Sequence, residues 1–174
     1  MKTLNFFGMS YHFAPDSNIE TGNVNSEIIA DKTVSGNKIY FFDGVLPEVE
    51  TLYEIQNEAD LLEQFGDSKI MQVTDLDFNY SYDVVTKERQ IRKVPVDALD
   101  VPIEKDGTIG WAAIVLATED GIEGNTIIFT DSIGVWGDQL SPIIIDRVGC
   151  TAGENNIFKD ISIIFRDVSS NEGA

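Results

Sequence analysis

The chain predicts a mainly β fold, a β-sandwich or jelly-roll-like domain. It carries at most one short helix, over about 50–64, and an extended N-terminal segment. Three observations point there. Four apolar runs, Trp111–Ala117, Thr126–Thr130, Pro142–Asp146 and Ile161–Arg166, are rich in β-branched and aromatic residues and too short for helices. Gly, Asn and Asp clusters separate them, as turns separate strands. Leu76, Phe78, Tyr80 and Tyr82 alternate with Asp77, Asn79 and Ser81, the period-2 pattern of a half-buried strand. About nine or ten strand candidates at short spacing argue for sandwich or barrel architecture.

Residues 1–37 read as an N-terminal strand or arm with a loop, and 38–170 as the β domain. Together they make one domain overall. Phe6, Phe7, Tyr11 and Phe13 make the first stretch aromatic, with Gly8 as a bend. Such a segment pairs inside its own sheet or reaches a neighbouring subunit. Asp16–Asn25 is polar and turn-rich. Ser26–Val34 is a weak strand candidate, and Ser35-Gly36-Asn37 reads as a turn. Lys38–Asp43 is a strong strand.

Leu52, Ile55, Ala59 and Leu62 form an amphipathic stripe, with Gly66 as its stop. The competing reading is a loop over 48–59 and a strand over 61–65. Lys69–Val73 is a strand. Thr86–Lys93 is the basic run, expected as a solvated hairpin tip or linker. Pro95 and Pro102 bracket an extended connector. Asp120-Gly121 signals a hairpin, and Ile133–Gln139 and Gly149–Asn156 read as loops. The last four residues should fray.

Thirty acidic against twelve basic residues leave a formal charge of −18. Such a surface repels phosphate backbones, so no direct nucleic-acid partner is expected. Cys150 is the single cysteine, which fits folding in a reducing cytoplasm. No window approaches the roughly 18 apolar residues of a membrane span, and no signal peptide is read at the N-terminus.

Chemistry has few footholds. Asp75 and Asp77, and Asp120 and Glu123, are close acidic pairs, a spacing that chance supplies in so acidic a chain. A calcium site needs 6–8 converging oxygens. His12 is the lone histidine, so a triad or a zinc site has little to draw on. No phosphate loop, dinucleotide fingerprint or nucleophile elbow occurs. No catalytic residue, cofactor or metal is therefore expected. Trp111 starts a strand and reads as core. Trp136, in a glycine-flanked loop, is the better exposed contact.

Short elements follow one another in order: Gly107-Thr108-Ile109-Gly110-Trp111-Ala112, then Ile114-Val115 and Asp120-Gly121, Thr130–Gly134, Pro142–Asp146, Thr151–Gly153 and Ile161–Phe165. Upstream, Ile39–Pro47 and Asp60–Leu62 look like the first half of the same layout. This order and spacing resembles small virion structural proteins of tailed bacteriophages. The resemblance covers roughly 38–168; residues 1–37 and 66–106 have no counterpart in it. It implies a non-enzymatic virion part: head decoration or cement, a head–tail neck protein, or a tail accessory. The implied partners are major capsid or neck and tail subunits and further copies of the chain, with folding in the host cytoplasm before assembly. Phe6, Phe7, Tyr11, Phe13 and Trp136 are the expected interface residues. A carbohydrate-binding module, with Trp136 beside Asp138 and Gln139, is the alternative.

Overall fold

The computed structural model describes residues 2–6, 9–13, 32–83, 85–86, 88–94, 97–117, 123–137 and 141–166. Within them the fold is mainly β, as the turn-bounded runs predict. The strands are β1 (Lys2–Phe6), β2 (Met9–Phe13), β3 (Lys32–Asp43), β4 (Lys69–Asp83), β5 (Glu88–Val94), β6 (Leu99–Pro102), β7 (Gly107–Ala117), β8 (Glu123–Thr130), β9 (Ile133–Val135), β10 (Ile143–Ile145), β11 (Gly149–Cys150) and β12 (Asn155–Arg166). Their order is β1-β2-β8-β7-β3-β4-β5-β12-β10-β9, with β11 on β7 and β6 on β12. β1 also lies alongside β12, so the sheet curls until it nearly closes. Closure of this kind shields strand edges from stray pairing.

The sheet has apolar residues on both faces where β3, β7 and β8 run together. Ile39, Phe41, Ala112, Ile114 and Ile128 face the interior core. Tyr40, Phe42, Trp111, Ala113, Val115, Ile127 and Phe129 face the other way and are also buried. This is why 111–117 is a continuous apolar run: a strand covered on both sides has no polar alternation. The outer cover is helical. α1 (Val49–Leu52) is one turn, and α2 (Glu58–Phe65) runs two turns into a 3-10 turn at Gly66–Ser68.

Leu52, Ile55 and Leu61 are fully buried beneath this cap. Phe65 meets Trp111 edge-on at 5.2 Å, and Trp111 stacks on Phe42 at 4.1 Å. Geometries of this kind add roughly 1 kcal/mol per pair beyond area burial. Trp111 is core, as its strand position predicts.

The expected single stripe over about 50–64 is broken at Asn57. Its Oδ1 accepts the Asp60 N–H at 2.9 Å, while the Asp60 carboxylate accepts the Gln56 N–H at 3.2 Å. This reciprocal cap starts α2 afresh. The strand reading of 61–65 is replaced by helix. Gly66 ends α2 with φ −56°, continuing into the 3-10 turn rather than stopping in the left-handed region.

The turn expected at Ser35-Gly36-Asn37 is instead a bulge inside β3. Val34 pairs with Phe78, Asn37 with Leu76, and Ile39 with Val73. The first step adds a residue to β3 at Ser35–Gly36. The second adds one to β4 at Thr74–Asp75. The two bulges cancel, so register is restored beyond them. Gly36, with φ 87°, takes the left-handed conformation the first bulge requires, and Asp75, with φ 55°, takes it at the second. The second bulge switches the parity of β4. Met71 and Val73 point inward, and so do Leu76, Phe78 and Tyr80. Without it one of those sets would face solvent.

The basic run expected to be a solvated tip or linker is mostly strand β5. Ile91 and Lys93 face inward, and Lys93 is buried. β12 pairs with β5 over 162–166 and with β6 over 155–158. Lys93 sits where the partner changes, its Nζ donating to the Asp97 carbonyl in the connection to β6. The expected loop at 133–139 begins as β9, parallel to β10, and the one at 149–156 contributes β11 and the start of β12. Asn156 is buried there. Its Nδ2 donates to the Arg147 carbonyl at 2.8 Å and its Oδ1 accepts the Ile157 N–H. The Asp120-Gly121 hairpin signal, the 16–25 loop and the C-terminal residues 167–174 lie outside the described residues.

Candidate interaction surface

Trp136 follows β9 directly and precedes Gly137, whose φ of 99° turns the chain. The indole is 54 % exposed. Lys159 of β12 places its Nζ 3.1 Å from the ring centroid, so an ammonium covers one ring face. Val135 beside it is also exposed. The result is a small apolar and cationic spot on a strongly anionic chain.

The N-terminal aromatics are placed by backbone pairing. Phe6 pairs with Met9, Tyr11 with Leu4, and Phe13 with Lys2. Phe13 also pairs with Ile128 of β8, and His12 with Phe129. Residues 2–6 and 9–13 thus form a hairpin of their own sheet. Phe7 lies outside the described residues, as do Asp138 and Gln139. The β1 strand of the hairpin and Trp136 both border β12.

A second surface lies on the helical cap. Val45, Val49 and Tyr53 are 88 %, 41 % and 55 % exposed. Val49 and Tyr53 stand one helical turn apart, the Tyr53 N–H bonding the Val49 carbonyl at 2.8 Å. Glu48, Glu50 and Glu54 are exposed around them. Glu54 also borders a shallow hollow of about 430 Å³ lined with Asp60, Glu63 and Gln64. The cap is pinned to the sheet by Glu58, which accepts from Lys38 Nζ at 3.0 Å and from the Tyr40 hydroxyl. The sequence held a signal for this surface. Val49 and Tyr53 are apolar positions outside the Leu52–Ile55–Ala59–Leu62 stripe, where polar residues belong.

Among the described residues no three His, Cys, Asp or Glu side chains cluster as metal ligands. Asp75 sits at the β4 bulge, Glu123 opens β8, and Asp120 lies outside the described residues. Burial pushes the Cys150 thiol up, against the Asn156 hydrogen bond and the Arg147 charge. Burial pushes the Lys93 ammonium down, against Asp160 and Asp97.

The two shifts predict opposite alkaline behaviour. Above about pH 8.5 an unfolded chain loses its thiol proton before the folded one, so Cys150 stability falls as pH rises. Below about pH 10.4 the unfolded chain holds the lysine proton more tightly, so the Lys93 contribution rises with pH. Urea midpoints under reductant at about pH 8 and about pH 10 check this. Over that interval Cys150→Ala should gain on the wild type, and Lys93→Met should lose on it.

The fold and surfaces together define a class: a nearly closed β sheet with a helical cap, presenting exposed aromatics. No family model, curated protein or solved structure matches the chain.

Proposed function

We propose that this protein is a non-enzymatic structural component of a tailed-phage virion, of the capsid-decoration or head–tail neck type. It acts through protein–protein contacts with capsid, neck or tail subunits and with further copies of itself. The observation that carries the reading is Trp136, a half-exposed indole in the turn after β9, one ring face covered by Lys159 of β12. Tryptophans so placed anchor interfaces, because a large rigid ring is buried at little entropic cost. The order of short elements from Ile39 to Phe165 supports the virion assignment, and the anionic surface suits a part that must stay soluble before assembly. Many copies on one particle let modest contacts add.

Trp136→Ala tests it. The ring is outside the core, so folding stability should change by less than about 0.5 kcal/mol. Incorporation into particles made by the encoding genome, read by immunoblot of purified virions, should fall by roughly thirty-fold if the ring is a hot spot. Unchanged incorporation, or absence of the wild-type protein from the particle, would sink the reading. Deleting residues 1–13 is not a clean probe of an arm, since it removes the β1–β2 hairpin, whose β2 strand pairs with β8.

The exposed indole also supports a second reading, a carbohydrate-binding module of a tail or fibre. Lys159 covers one ring face, so a sugar would stack on the opposite one. Glycan-array binding that disappears in Trp136→Ala would favour this reading over the first.

A further inference from the structure

We propose that the helical cap is a second docking surface, for a partner protein that presents an apolar segment flanked by lysines or arginines. This goes beyond the Trp136 surface and does not depend on it. The anchors are Val45, Val49 and Tyr53, all on the solvent side of the segment that α1 belongs to. Val49 and Tyr53, one helical turn apart, share a face, and Val45 precedes them in the same exposed segment. The rim is carboxylate: Glu48, Glu50 and Glu54 are exposed, and the hollow that Glu54 shares with Asp60 and Glu63 extends the acidic edge.

Rigidity favours binding here. Leu52, Ile55 and Leu61 lock the underside of the cap, and the Glu58 contacts to Lys38 and Tyr40 fix α2 to β3. The patch is therefore preorganised, which lowers the entropic cost of docking.

Charge selects the occupant. The chain's own remaining segments are poor candidates. Residues 14–31 carry Asp16, Glu20, Glu27 and Asp31 and no Lys or Arg, and 167–174 carry Asp167 and Glu172 with none either. A second copy brings a net charge of −18 toward a carboxylate rim. A basic-flanked apolar segment meets neither obstacle. Its cations would be steered by the field and set the orientation, while Tyr53 and Val49 supply the contact.

The test uses synthetic peptides and fluorescence anisotropy on the full-length protein. A labelled peptide of alternating Leu and Lys is compared with an equal-length Gly and Lys peptide. The first should bind, and binding should weaken by at least about tenfold in Val49→Ser/Tyr53→Ser and in Glu50→Lys/Glu54→Lys. The Gly and Lys peptide should bind more weakly and be indifferent to Val49→Ser/Tyr53→Ser. Three results overturn the proposal. One is no binding of the Leu and Lys peptide. Another is equal binding of the two peptides or of wild type and both variants, which would show attraction to net charge alone. The last is concentration-dependent self-association in sedimentation velocity that the same substitutions abolish, which would make a second copy the occupant. None of these readouts involves the particle, so failure of the virion assignment and failure of this surface are told apart.

Discussion

Asn37→Leu should cost roughly 4 kcal/mol of folding stability, a large loss for one side chain of similar size. Asn37 is fully buried, and its amide has four partners. Nδ2 donates to the Val34 carbonyl at 2.7 Å and the Leu76 carbonyl at 3.0 Å. Oδ1 accepts the Ala117 N–H at 2.9 Å and the Tyr80 hydroxyl at 3.1 Å. The two donors and two acceptor positions of an amide are all used, and the partners dictate which way it points. Three strands meet there: β3 with its bulge, β4 just past its own bulge, and the end of β7. The bulges leave backbone groups that the ladder cannot satisfy, and Asn37 satisfies them from the inside. Leucine fills the space and leaves buried carbonyls and an N–H without it, each worth about 1–3 kcal/mol. Asn37→Asp keeps the acceptors, loses both donors and adds buried charge, so it should be no milder. Urea unfolding measures both. Tyr80→Phe should cost about 1 kcal/mol and be strongly non-additive with Asn37→Leu, because the two share one network. A loss under about 1 kcal/mol for Asn37→Leu would show that the bulges hold without this amide.

The same residues show where the chain could be read and where it could not. β7, β8, β10 and β12 were legible because a strand buried on both faces, or bounded by Gly and Asn, has a local signature. The resulting mainly β class and the burial of Trp111 follow from that. Ser-Gly-Asn is turn chemistry, and nothing local tells a turn from a bulge whose partner strand lies 39 residues away at Leu76. The parity break at Thr74–Asp75 was visible as two separate strands. Only the compensating bulge in β3 shows that they are one. Lys93 looked like part of a solvated charge run, and its burial comes from the β5-to-β6 exchange on β12, a fact of topology. The exposed character of Trp136 was readable from its flanking glycine. The cap patch was legible in part: Val49 and Tyr53 lie outside the Leu52–Ile55–Ala59–Leu62 stripe, but the break at Asn57, which assigns them to the short α1 and its C-cap rather than to one long helix, was not.

Gly110→Ala should be about as damaging as the loss of Asn37, at roughly 3–5 kcal/mol, for a purely steric reason. Phe42 pairs with Trp111 and Asp43 with Ile109, so Gly110 is the extra residue of a bulge in β7. Gly44 crosses over it. The Gly44 N–H bonds the Thr108 carbonyl at 3.2 Å, and the Asp43 carboxylate accepts the Thr108 N–H at 3.0 Å. That seat holds the Gly44 carbonyl where a side chain on residue 110 would go: a Cβ there would lie 1.6 Å from the oxygen. The Cβ is fixed by the backbone of residue 110 and the group it meets is the Gly44 backbone, so no rotamer change relieves the clash. The chain must lift off at Gly44, and this is the segment that launches the cap. Lifting it loosens Leu52, Ile55 and Phe65 from the outer face of Trp111 and Phe42. The expected signature is therefore twofold: a fall in the urea midpoint, and loss of the near-ultraviolet circular dichroism of packed Trp111. Gly149→Ala is the control, since a Cβ at Gly149 meets nothing within 4 Å and its φ is not positive. It should shift stability by less than about 1 kcal/mol. If Gly110→Ala behaves like Gly149→Ala, the Gly44 crossing is not the hinge on which the cap is seated. If it unfolds only the cap signal, the sheet stands without its helical cover, and the docking face of Val49 and Tyr53 should vanish with it.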